Sequence, residues 1–153
     1  MIVLSLFDMP DFGATANRVN RFLSVQLPRL ALRSGRHLAD LSSPQLSLAP
    51  GSGSHGNNAE NIIVNSMEAD AVINAISYCI MSMPGTSKQI LTKKYLDQLS
   101  DWKVQQKMGY SERQYFRLKR QALNDFADGY DSAQVRFCIS EDNLIDLHSE
   151  QPA

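Results

Sequence analysis

Residues 100–126 read SDWKVQQKMGYSERQYFRLKRQALNDF, and their pattern predicts two helices joined by a tight turn. Gly109 can take the left-handed conformation that closes a helix. Ser111 then offers an N-cap, and Gln114, three residues on, completes a capping box in which each side chain satisfies an orphan backbone N–H. Tyr115, Leu118, Ala122 and Phe126 recur at helical spacing as an apolar stripe. Arg113, Arg117, Arg120 and Asn124 project from the opposite side. An apolar back, a cationic front and a capped start just after a glycine turn are features of the recognition helix of a helix-turn-helix. Charge pattern alone divides about evenly between that reading and an ordinary solvated helix face.

The whole chain of 153 residues, 43% apolar, is long enough for one domain with a real core. Its net charge of −1 predicts no polyanion partner by itself, but the charge is segregated. Residues 1–45 carry five Arg against three Asp, and residues 46–83 carry three acids and no base. Residues 84–126 carry nine Lys and Arg against four acids, while residues 127–153 carry one Arg against six acids. A basic helical segment beside an acidic tail is the asymmetry expected of a nucleic-acid binder. Two cysteines, Cys79 and Cys138, make no disulfide framework, and Cys79 falls on an apolar stripe as a buried small hydrophobe. The start MIVLSLFDMPDF lacks a cationic region and meets acid early, unlike a signal peptide. No apolar run approaches a membrane span, so a cytoplasmic location is expected.

In chain order, residues 1–13 are a short apolar lead. Thr15 or Asp11 can cap a helix over about residues 14–27, with Val19, Phe22, Leu23 and Leu27 on one side, and Pro28 should end or kink it. Residues 29–41 can form a second short helix broken near Gly35, completing an N-terminal helical segment over 1–41. It can pack on the main domain, pair two subunits or touch DNA, and packing or pairing is favoured. Residues 42–58 hold two prolines, three glycines and five serines, the composition of a flexible linker. GSGSHG within it lacks the Gly-Lys-Ser/Thr of a phosphate loop.

A long helix is expected from about Ala59 to Met83, entered through Asn57 and Glu60. Val72, Ile76, Cys79, Ile80 and Met83 form its stripe, extended by Ile62, Ile63 and Met67. Core packing is its expected role, with an interface to a second copy as the alternative. Pro84-Gly85 stops it. Thr86 and Gln89 form another capping box, and a helix to about Leu99 turns Ile90, Leu91, Tyr95 and Leu99 inward and Lys88, Lys93 and Lys94 outward. Trp102 is expected to pin the next helix to the core. After Tyr130, the alternation of Val135, Phe137 and Ile139 suggests a short strand, and residues 131–153 an acidic, mobile tail.

Met108-Gly109-Tyr110-Ser111, followed by Tyr115, Leu118 and Ala122-Leu123, resembles the last two helices of sigma-70 region 4. The fuller order is a linker, a long apolar helix, a helix ending ILTKKYL and the run MGYSERQYFRLKRQALNDFA. This looks like the ArpU family of phage and prophage transcriptional regulators, which control late genes for packaging and lysis in Gram-positive hosts. The match covers residues 57–130 well and the N-terminal helix loosely. Phe116 departs from the sigma pattern, falling where those proteins usually carry a polar residue near the DNA. It can contact a thymine methyl group or pack against this chain.

The resemblance implies an all-α helical bundle with a helix-turn-helix over 59–130 and double-stranded DNA as the partner. In that role Glu112, Arg113, Gln114 and Arg117 would address base edges. Lys103, Lys107, Ser111, Lys119 and Arg120 would meet phosphates. RNA polymerase and a second copy of the chain are further candidate partners; a membrane is not. A sigma-like factor and a small-terminase-type packaging protein are the alternatives. No enzyme, metal or cofactor is expected, because His37, His55 and His148 are scattered and no nucleophile or metal-ligand spacing occurs.

Overall fold

The computed structural model describes residues 12–42 and 57–148, with residues 42 and 57–66 described by backbone alone. The apolar lead through Asp11, the linker over 43–56, the side chains of Ile62 and Ile63 and the end of the tail lie outside the described residues. The described residues are helical and contain no strand. Helix α1 (Phe12–Arg21) runs through a π turn (Phe22–Gln26) into α2 (Leu27–Ser34) without a break. Pro28 therefore neither ends the helix nor needs to. Its ring removes a hydrogen bond and crowds the preceding turn, and the wider π turn just before it makes room. Thr15 is buried inside α1 rather than capping it.

Gly35 closes α2 at φ 70°, with Gly35 N donating to Leu32 O at 3.3 Å and Arg36 N to Ala31 O at 3.0 Å. A short 3-10 turn follows (Leu38–Ser42). The long helix is α3 (Asn57–Met81), and α4 (Gly85–Leu91) continues through a second π turn (Thr92–Leu96). Thr86 does not cap α4. Pro84 occupies the cap position with no side-chain hydrogen bond, and the neighbouring Ser87 hydroxyl instead donates to Asp125 at 3.1 Å. Helices α5 (Asp101–Met108) and α6 (Glu112–Arg136) complete the set.

Helix α6 is the spine: it packs on α1, α3 and α4, while α2 packs on α3. Phe22, Phe126 and Tyr130 form one aromatic cluster in which Phe126 and Tyr130 stack at 5.2 Å. Val19, Leu23 and Leu27 join Ile73, Ile76 and Ile80 in the same core. The N-terminal helices are thus part of the main core, each buried large side chain contributing on the order of 1.5–3 kcal/mol. Arg36 ties the end of α2 to α3 through Asp70 at 2.9 Å and Asn74 at 2.7 Å. Cys79 is buried as expected, and burial, then the charge of Asp131, pushes its thiol up to about 12. Met67, placed on the α3 stripe by the sequence, is instead exposed.

The region after Tyr130 is neither strand nor free tail over its described length. Phe126, Tyr130, Ala133 and Gln134 keep the helical period facing inward, so α6 runs on to Arg136 and Val135 points to solvent. The chain then turns at Cys138 (φ 56°), where Ile139 N donates to Gln134 O at 3.1 Å. Residues 139–148 form a strap across α6. Gln134 holds it with its side-chain amide, donating to Ile145 O and accepting from Ile145 N, both at 2.8 Å. Leu147 is buried in the main core, and Arg18 donates to His148 O at 3.0 Å. The His148 ring bridges Asp128 and Asp146, each at 2.7 Å.

Candidate nucleic-acid interface

A second, smaller apolar cluster sits apart from the main core. Ile90, Val104 and Tyr115 are fully buried in it, with Leu99, Met108, Tyr110 and Leu118 packed around them. It draws one or more side chains from α4, α5 and the start of α6, so it fixes how these three elements lie against one another. Gly109 ends α5 at φ 72°, with its N–H donating to Gln105 O at 3.0 Å. Ser111 then caps α6, its hydroxyl accepting from Gln114 N at 3.3 Å. Ser100 caps α5 in the same way through Lys103 N at 3.3 Å. Both caps satisfy backbone donors that would otherwise be orphaned.

Asp101 joins α5 to α6. Its carboxylate accepts from the Tyr115 hydroxyl at 2.7 Å and from Lys119 Nζ at 2.9 Å, with Lys94 at 3.9 Å. Burial pushes the Asp101 carboxyl up, but the hydrogen bonds from Lys119 and Tyr115 and the charges of Lys119 and Lys94 outweigh it and hold the group below its ordinary range. Tyr115 is raised, by burial first and then by Asp101. The buried stripe residue expected from the sequence therefore has a polar tip that its spacing did not reveal.

Glu112, Arg113, Gln114, Phe116, Arg117, Arg120 and Gln121 are all exposed on the first turns of α6. Lys103 and Lys107 are exposed on α5. The structure thus brings the four residues expected to meet bases onto one short helical surface, with two of the expected phosphate contacts across the turn. Other residues are placed differently. Lys119 is only 12% exposed and its ammonium is engaged by Asp101. The Ser111 hydroxyl is engaged in the cap. Asn124 is not on the front: it is buried, and its amide donates to Phe12 O at 3.0 Å and Arg120 O at 2.9 Å, anchoring the start of α1. Lys88, Lys93 and Lys94 are half-buried rather than projecting.

Trp102 is 63% exposed and does not pin α5 to the core. Asp101, Val104 and Met108, at i, i+3 and i+7, take the inward side of this short helix and leave Trp102 outside. Phe116 is 43% exposed, its ring edge-on to Tyr115 at 5.1 Å and under Lys119 Nζ at 5.8 Å. A groove of about 460 Å³ lies elsewhere, between α1, α2, α3 and the strap, and includes Arg21, Arg33, Phe22, Val72 and Leu147. No residue of α5 or of the first turns of α6 lines it.

Residues 56–127 match the family described as "Protein of unknown function (DUF1492)". The chain is also 35% identical over 109 residues to a protein of Enterococcus hirae named as a candidate autolysin regulatory protein, ArpU. That similarity covers 70% of this chain and 80% of the Enterococcus protein. No solved structure matches the chain. No helix among the described residues is long and apolar enough to cross a membrane.

Proposed function

The chain belongs to the ArpU-like family, and on that premise we propose that it regulates transcription by binding double-stranded DNA through a sigma-70 region 4-like helix-turn-helix. The observation that carries this reading is the surface of α6. Arg113, Arg117 and Arg120 stand exposed on its first turns, and the Asp101 clamp and the small apolar cluster behind them fix the helix against α5. A rigid cationic helix start is what insertion into a major groove requires, since the N-terminal residues of a recognition helix meet the base edges.

In this arrangement Arg113 and Arg117 pair with guanines, Gln114 with an adenine, and Glu112 accepts from a cytosine. Lys103, Lys107 and Arg120 neutralise phosphates. Lys119 supports the reader from behind through Asp101. The related protein is named for autolysin regulation, which makes genes of cell-wall lysis, and by extension late genes of a phage or prophage, the proposed targets. We assign the chain no catalytic role. Binding to random and genomic duplexes at two salt concentrations tests the reading. Affinity should fall steeply with salt, as phosphate neutralisation requires. Salt-independent or undetectable binding removes it.

A further inference from the structure

We infer that Phe116 reads the C5-methyl group of a thymine, setting sequence preference at a position the flanking arginines do not address. The inference rests on α6 being the recognition helix. Phe116 lies three residues after Arg113, one before Arg117 and four before Arg120, so it shares their exposed surface. A phenyl ring has no donor or acceptor, so it cannot read a base edge by hydrogen bonding. The apolar feature in the major groove is the thymine methyl.

The ring is also held in place. Tyr115 meets it edge-on at 5.1 Å, and Lys119 lies over it at 5.8 Å. Both of those side chains are bonded to Asp101, at 2.7 Å and 2.9 Å. Two neighbours of the ring are therefore fixed to another helix, and the side chain is oriented before any ligand arrives. A rigid aromatic pays little entropy on binding, because it has only two rotatable bonds. A ring left 43% exposed amid cations on a helix whose other aromatics, Tyr115, Phe126 and Tyr130, are buried is placed for an apolar contact outside the chain.

The test starts from duplexes enriched by the wild-type protein out of a random pool. Each thymine of the preferred duplex is replaced singly by deoxyuridine, which removes the methyl and nothing else. One or two positions should weaken wild-type binding by about fourfold, the worth of one buried methyl group. Phe116→Ala should bind the thymine and uracil duplexes equally, and Phe116→Leu should keep part of the discrimination. Unchanged melting of Phe116→Ala is expected for a half-exposed ring; if that variant melts lower, Phe116→Leu decides the question on the same duplexes. Equal thymine-to-uracil effects in wild type and both variants overturn the inference while leaving DNA binding intact. Failure of the wild type to enrich or bind any duplex removes the DNA-binding reading, and this inference with it.

Discussion

Asp101, the first residue of α5, accepts a 2.9 Å hydrogen bond from Lys119, two turns into α6. With the 2.7 Å bond from Tyr115, it sets the angle between the two helices by polar contacts at one end, while Val104 and Tyr115 set it by packing. Asp101→Ala leaves a nearly buried ammonium and a buried hydroxyl without their acceptor. It should cost about 1–3 kcal/mol, read as a lower urea midpoint at neutral pH. Because the folded carboxyl is held below its ordinary range, its contribution is present above the unfolded value of about 3.9 and is lost as pH falls through the lower folded value. The gap between wild type and Asp101→Ala should therefore close in acid. A gap that stays constant however far the pH is lowered while both proteins remain folded would show that the charge plays no part.

The strap yields a second expectation. Leu147→Ala removes a side chain buried against the core and should cost about 2 kcal/mol, the lower end for such truncations, since the strap can settle into the space. His148 adds a pH dependence. Burial lowers its basicity, but the hydrogen bonds to Asp128 and Asp146 and the charges of Asp131 and Asp146 raise it overall. Arg18, bonded to the backbone carbonyls of Asp146 and His148, is the cation facing this group. With the folded value above the unfolded value of about 6.5, the stabilisation is complete below that pH and fades as pH rises through the folded value. Exchange of the Ile145 amide, corrected for its intrinsic rate, should quicken in wild type as pH rises from the unfolded value of about 6.5 through the raised folded value. His148→Gln should show no such change.

Gly109 provides a third. Its φ of 72° is strained for any residue with a side chain, yet a Cβ there would meet no atom within 4 Å. The cost of Gly109→Ala is then purely conformational, about 1 kcal/mol. Gly109→Asn should cost less, because asparagine tolerates the left-handed region better. Thermal melts of both variants check the order. If Ala and Asn are equivalent to Gly, the turn does not hold this conformation in solution.

Legibility in the sequence followed the range of the interactions. The turn at Gly109, the cap at Ser111 and the buried stripe of α6 depend on residues within a few positions of one another, and local pattern places them correctly. The same holds for the closure of α2 at Gly35 and for buried Cys79. The misplacements arise where a distant partner decides. Asn124 has the spacing of a front residue, but its amide is claimed by Phe12, 112 positions away. Nothing near Leu147 in sequence shows that it is buried against helices formed much earlier. Trp102 has the size of a core residue, but the i, i+3, i+7 set of Asp101, Val104 and Met108 fills the inward side of α5 and leaves it outside. Val135, Phe137 and Ile139 alternate as a strand would, but over three residues only. The longer period of Phe126, Tyr130, Ala133, Gln134 and Phe137 was present in the sequence and pointed to continued helix.

Whether the first turns of α6 read bases is decided by titrating four proteins against two duplexes. Wild type, Arg113→Ala, Arg117→Ala and Lys107→Ala are titrated against the duplex that wild type prefers and against a scrambled duplex, at two salt concentrations. Loss of either arginine should weaken binding to the preferred duplex by about 1–3 kcal/mol and spare the scrambled one, while loss of Lys107 should weaken both alike and reduce the salt slope by about one. Equal losses on the two duplexes for Arg113→Ala and Arg117→Ala would contradict base reading by α6, whatever the affinity for DNA.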